Sequence, residues 1–349
     1  MTSARRGLVV PAAGERAARA RAAPVRALQT IGFALLAAGV IGAFTVFLLR
    51  LRDGSARLGH AAFWSAVVFT CAFLTNALAD ASQFAAWDPL WPRWISTLAR
   101  LGDASAGSVW TMVVLLALIA AGDALDRESG AGRGDALWAL GRGRLTDPRV
   151  GLASARGFGV GLVCGGVMAA TVLLLEREAG AFTAVQPRGF FFYALNSAAP
   201  SLSTLLFFVN IALLEELGYR FFAGAWLLRT THRRWIAVLV PAAVYGLTHT
   251  GLDFLPPAEP FWARAVVMTL VGCVWGVAFL RWDALTVVVS HLTSDLFIFN
   301  WPRLASAHPD VRLAALLTVS VPLLPALGAG VLALVRRRAT EGALAGERR

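Results

Sequence analysis

The chain contains no lysine; all of its basic charge is arginine, which together with the abundant Ala and Gly points to a GC-rich, bacterial coding sequence. Charge of either sign is scarce, at 15% of 349 residues. A soluble domain of this length needs far more polar surface, so that class is excluded. Cysteine is scarce too: Cys71, Cys164 and Cys273 lie in apolar runs and form no CxxC pair. A disulfide framework is therefore excluded, and the three read as small core hydrophobes. There is no HExxH and no GxSxG, and AAGDALD at 120–126 lacks the first glycine of GxGD. These absences speak against the commonest zinc, serine and aspartyl hydrolase signatures. No internal repeat is present, so an inverted-repeat transporter finds no support.

What is present is apolar length. The composition is 57% hydrophobic with a mean hydropathy of +0.64. Runs near the roughly twenty residues that span a bilayer recur at 27–49, 59–80, 106–122, 157–175, 200–228, 234–250, 262–280, 284–300 and 312–335. The fold class is all-α, a polytopic membrane protein with eight or nine transmembrane helices. The weakest segments are 59–80, which carries His60 and Asn76, and the short 106–122. The net charge of +11 could suggest nucleic acid, but the arginines fall between the apolar runs. That is the positive-inside pattern of an integral membrane protein, with lipids rather than nucleic acid as partners.

Arginine also orients the chain. The loops 123–156, with six Arg, 229–234 and 336–338 should be cytoplasmic, and the acidic turn 251–261, with Asp253 and Glu259, outside. The expected location is a bacterial inner membrane, with the C-terminus in the cytoplasm. With nine spans, however, the N-terminal tail would lie outside despite Arg5, Arg6, Arg16, Arg19, Arg21 and Arg26. That tail is Arg-rich and nearly acid-free, like a transit peptide, and reads as disordered. Segment 84–100, with Trp87, Trp91 and Trp94, reads as an interfacial aromatic belt, and 123–156 as a Gly/Arg-rich loop with a short helix around ALWAL.

An ionisable group at the centre of a transmembrane helix costs on the order of 3 kcal/mol and is a functional candidate by default. In the N-terminal half, Asp80 and Asp123 sit at segment ends, where hydration is easy. The C-terminal half holds three clusters. In LLEELGYR, Glu216 and Arg220 are four apart and share a helix face, so they can pair, whereas Glu215 points about 100° away and has no partner on its own helix. In VYGLTHTG, His249 lies one turn after Tyr245; in VVSHLTSDL, His291 and Asp295 are again four apart. Each cluster alone has a structural explanation: an ion pair, a hydrogen-bonded core histidine, a self-satisfied pair. Two of only five histidines fall here, and carboxylates plus histidines on three helices are the set that activates water and stabilises an oxyanion.

EELGYR at 215–220, YGLTH at 245–249 and HLTSD at 291–295 resemble, in this order, the CPBP (ABI) family of intramembrane proteases, which includes the type II CAAX prenyl endopeptidase. The resemblance covers about 195–305. It implies that Glu215 is the general base, that His249 holds or polarises the water, and that His291 and Asp295 stabilise the oxyanion. It makes Glu216 and Arg220, with Tyr245, the structural support. Tyr245 replaces the commoner Phe, and Asp295 stands where Asn is usual; an ionised Asp cannot donate to an oxyanion. Asp295 would have to be protonated, or would orient His291 as an acceptor. The implied division of the chain is a tail at 1–26, N-terminal membrane helices at 27–190, catalytic helices at 191–305, and a last helix with a basic tail at 306–349.

The expected mechanism needs no cofactor. A zinc site built from Glu215, Glu216, His249 and His291, with Asp295 nearby, is the alternative. From another class, the rivals are a proton-coupled transporter and a non-catalytic scaffold. The expected substrate is a peptide or membrane-anchored protein, bacteriocin maturation or immunity included; the oligomeric state is left open.

Overall fold

The computed structural model describes residues 12–78, 92–183, 197, 199–250 and 258–346. Arg5, Arg6, Asp80, Trp87, Trp91 and Asp253 lie outside these residues. The architecture is all-α: α1 (Ala12–Arg52), α2 (Leu58–Leu78), α3 (Arg93–Ser129), the short α4 (Asp135–Gly141), α5 (Pro148–Ala179), α6 (Pro200–Glu216), a π-helical stretch (Leu217–Gly224), α7 (Ala225–Thr231), α8 (Arg234–Thr248), α9 (Ala263–Arg281), α10 (Ala284–Leu304), α11 (Pro309–Ser320) and α12 (Leu324–Gly346). Two residues at Phe182–Thr183 pair antiparallel with Ala258–Glu259, joining two inter-helix connections. Among the described residues eight helical units are long and apolar enough to cross a membrane, α6 to α7 and α11 to α12 each counting as one. The apolar α8 is the ninth and has 15 residues, about 22 Å at 1.5 Å per residue. That falls short of a hydrocarbon core of about 30 Å.

Three segments differ from the sequence reading. The interfacial segment 84–100 and the short span 106–122 join, from Arg93 onward, into one helix, α3. The polar, small residues at 102–108 lower hydropathy without breaking helical geometry, because no proline follows Pro92 until Pro148. The loop 123–156 is mostly helical. α3 runs to Ser129 and stops at Gly130, whose φ of 65° is the left-handed cap that favours glycine. α4 then carries ALWAL, and α5 starts at Pro148 behind Asp147, which accepts from the Arg149 N–H. Finally, α1 begins at Ala12, inside the tail assigned to 1–26, over a run of Ala, Arg and Glu with high helix propensity.

The core centres on α10, with 72% of its apolar window buried, against 11% for α1 and for α5. α10 packs on α5 through glycines one turn apart. A Cβ on Gly157 would lie 2.6 Å from the Thr286 carbonyl oxygen, and one on Gly161 2.6 Å from that of Ser290. This small-xxx-small contact lets two backbones touch, as membrane helix pairs require. Asp283 caps α10 by accepting from the Thr286 N–H at 2.7 Å. On the other side Gly246 packs α8 onto α9, where an added Cβ would run into Thr269 Oγ1 and the Ala265 carbonyl. Together these contacts hold α6, α8, α9 and α10 around one buried point.

Candidate active site

Glu215 and Glu216 end α6, at the point where the backbone passes into the π-helical turns. Insertions of this type often mark functional sites. The two neighbours have opposite environments. Glu216 is fully buried, whereas the Glu215 side chain keeps 18% exposure.

Glu216 Oε1 is shared. It accepts from Arg220 Nη1 at 3.0 Å and from His291 Nδ1 at 2.7 Å, joining α6, the π segment and α10. Arg220 also donates from Nη2 to the Gly272 carbonyl at 3.3 Å. Its guanidinium lies 5.6, 4.9 and 5.2 Å from the ring centres of Tyr219, Tyr245 and Trp275. A buried cation is costly unless paired and hydrogen-bonded, and ring faces add attraction in a dry site. Gly272 leaves room here: a Cβ at this position would stand 3.0 Å from Arg220 Nη2 and 3.1 Å from Ala242 Cα.

Glu215 meets both histidines. His249 Nε2 lies 3.7 Å from Glu215 Oε1, and His291 Nε2 lies 3.7 Å from Glu215 Oε2. These separations exceed direct hydrogen bonds, and Glu215 Oε2 is buried without a hydrogen-bond partner. His249 Nδ1 is 2.8 Å from the Tyr245 carbonyl. A carbonyl only accepts, so Nδ1 carries the proton and Nε2 of the neutral ring is left as an acceptor toward Glu215. His291 stacks on Trp275 with ring centres 4.2 Å apart, and Trp275 Nε1 donates to Ser290 Oγ at 2.9 Å. The ring of His291 is thereby fixed on one face and at Nδ1. Asp295 Oδ2 lies 3.2 Å from His291 Nε2.

The structure thus brings all seven sequence candidates together: Glu215, Glu216, Arg220, Tyr245, His249, His291 and Asp295. Four participants carried no sequence signal. Gly272, Trp275 and Ser290 are ordinary residues of apolar helices, and Tyr219, whose hydroxyl pairs with Thr248 Oγ1 at 3.0 Å, reads as one aromatic among many. Among the described residues no group of three or more His, Cys, Asp or Glu is arranged to hold a metal; with both histidine Nδ1 atoms engaged, the two Nε2 atoms are the ones that face Glu215.

An all-α, membrane-spanning chain with carboxylates, histidines and an arginine gathered between its helices defines the class: a polytopic membrane protein with a polar centre inside the membrane. Residues 197–297 match the family model described as type II CAAX prenyl endopeptidase Rce1-like, and this match supports the likeness of that region to the CAAX protease-like (CPBP) family. The match supports an intramembrane endopeptidase of that type. Neither the curated proteins nor the solved structures yield a match to the chain.

Proposed function

We propose that the chain hydrolyses a peptide bond in a membrane-associated peptide or protein, with Glu215 as the general base. The observation that carries this reading is Glu215 itself: a carboxylate with one partnerless buried oxygen, 3.7 Å from a nitrogen of each histidine. An oxygen atom about 2.8 Å from both Glu215 Oε1 and His249 Nε2 completes a triangle on that 3.7 Å edge, and there we place the attacking water, since Oε2 is closed to solvent. Glu215 takes a proton as the water oxygen bonds to the scissile carbonyl carbon. It returns that proton to the amine nitrogen as the carbon–nitrogen bond breaks, so the base is regenerated. His249 Nε2 accepts from the water and orients it. His291 donates from Nε2 to the developing oxyanion when its ring carries both protons. Asp295 acts as an acceptor that keeps the proton on that nitrogen, rather than as an oxyanion donor. Glu216, gripped by Arg220, holds the far side of the ring.

The test is cleavage of membrane-tethered peptides by purified protein in liposomes. Glu215→Gln keeps the shape and loses the base, and its rate should fall by about 10²–10⁴-fold, the usual range for general-base loss. A zinc chelator should leave the wild-type rate unchanged; loss with chelator would replace this mechanism with a zinc one. Undiminished cleavage by Glu215→Gln overturns the assignment. So does a Glu215-dependent proton flux in a protein that cleaves nothing.

A further inference from the structure

Beside Glu215 a cleft of about 800 Å³ opens between α1, α3, the π segment and α8. Leu36, Val40 and Ile41 of α1, Trp110 of α3, Phe222 and Val244 typify its walls, and Glu215 is the one charged group among the described residues that line it. Half of the cleft therefore comes from residues 33–44 and 110–118, which lie outside the family-matched region 197–297. The matched region supplies the polar centre, and helices outside it supply half of the space next to it.

We infer that this cleft binds an apolar stretch of the polypeptide substrate beside the bond to be cut, and that α1 and α3 determine which stretch fits; the inference rests on Glu215 being the catalytic base. A polypeptide suits the site better than a lipid tail. An acyl chain offers nothing to Glu215, the one charged residue among the described lining, and burying a carboxylate against hydrocarbon is unfavourable, whereas a peptide N–H can donate to it. Length agrees as well. Phe33 to Phe44 spans about 17 Å of helix at 1.5 Å per residue, room for about five residues of extended chain at 3.3 Å each. α1 is also suited to admit substrate from the membrane plane, since only 11% of its apolar window is buried.

Gly39 lines the cleft, and a Cβ there meets nothing within 4 Å. Gly39→Trp therefore sends an indole into the space from a Cβ that itself meets no clash. Gly42, also on α1 and open, is not among the lining residues, so Gly42→Trp controls for bulk on that helix. Binding of a fluorescent membrane-tethered peptide is measured in liposomes on the Glu215→Gln background, and cleavage on the wild-type background. Gly39→Trp should weaken binding and cleavage at least tenfold, with Gly42→Trp within twofold of wild type. Phe33→Ala should shift the preferred peptides toward bulkier apolar side chains, a change that simple misfolding does not produce. Unchanged binding and unchanged preference in Gly39→Trp and Phe33→Ala overturn the proposal and leave the cleft to lipid. If the peptide binds and Gly39→Trp abolishes binding, yet wild type cleaves nothing, the cleft assignment stands and the protease reading fails.

Discussion

Adjacent glutamates with different surroundings define the centre. Glu216 is enclosed and holds Arg220 and His291 with a single oxygen, so its role is positional. Glu216→Gln removes the counter-charge and leaves the Arg220 guanidinium buried. Breaking one side of a buried pair costs about 3–5 kcal/mol, so the variant should unfold at markedly lower denaturant than wild type. Removing both charges in Glu216→Gln/Arg220→Met should recover much of that loss, because no lone buried charge remains. Activity should stay low in the double variant, since the Nδ1 anchor of His291 is weakened. Strictly additive destabilisation, measured by a double-mutant cycle in one detergent, would show that the two groups do not act as a pair. At this scale the sequence was partly readable. The four-residue spacings of 216 with 220 and 291 with 295 follow from helix arithmetic, and so does the divergence of Glu215. The Glu216–His291 contact bridges 75 positions and depends on the packing of α6 against α10, which no local spacing encodes.

Helix packing decides whether those spacings produce a site. α10 must lie close to α5 for His291 to face Glu216, and Gly157 and Gly161 permit that approach. Gly161→Val would push a side chain into the Ser290 carbonyl and the Thr293 side chain, one and two residues from His291. Overpacking of this kind costs about 1–3 kcal/mol, and cleavage should fall further than stability alone accounts for. Gly166→Val, at a position of the same helix where a Cβ meets nothing within 4 Å, should leave both within twofold of wild type. Equal behaviour of the two variants would remove the glycine contact from the account of the site. Hydropathy located the helices because it reports burial in lipid, but it split α3, where Gly102, Asp103 and Ser105 interrupt the apolar pattern without interrupting the helix. The π-helical turns after Glu216 left no trace in the pattern either, since nothing in LGYRFFAG at 217–224 separates that geometry from an ordinary helix.

Across the whole molecule the ends of three helices are tied at one face. Glu128, at the end of α3, contacts Arg50 near the end of α1 with one oxygen and Arg229 near the end of α7 with the other. The Arg-rich connections that follow α3 and α7 therefore share a side. The paired strands at 182–183 and 258–259 join two other connections, those after α5 and before α9. Counting from the clamp, α1 ends on the arginine side and so starts on the opposite one. α5 leaves that side, α6 with α7 returns to it, the short α8 leaves, α9 returns, α10 leaves, and α11 with α12 brings the C-terminus back. The positive-inside rule makes the arginine side the cytoplasm. We therefore expect the two termini on opposite faces of the membrane, the C-terminus with the connection at 142–147, and the arginines of the N-terminal segment outside. On this expectation the packing outweighs the charge of the tail: a bridge from α1 to the ends of α3 and α7 would set the direction of the first helix whatever the charge ahead of it. Cysteine labelling in sealed vesicles, with Cys71, Cys164 and Cys273 replaced by Ala, reads this directly. Probes placed at Thr2, Arg144 and Arg348 should give one side for the first and the other for the remaining two. Thr2 and Arg348 labelled from the same side would mean that one helical unit does not cross. In that event the short α8 is the first to suspect, because its 15 residues are the least able to reach both interfaces.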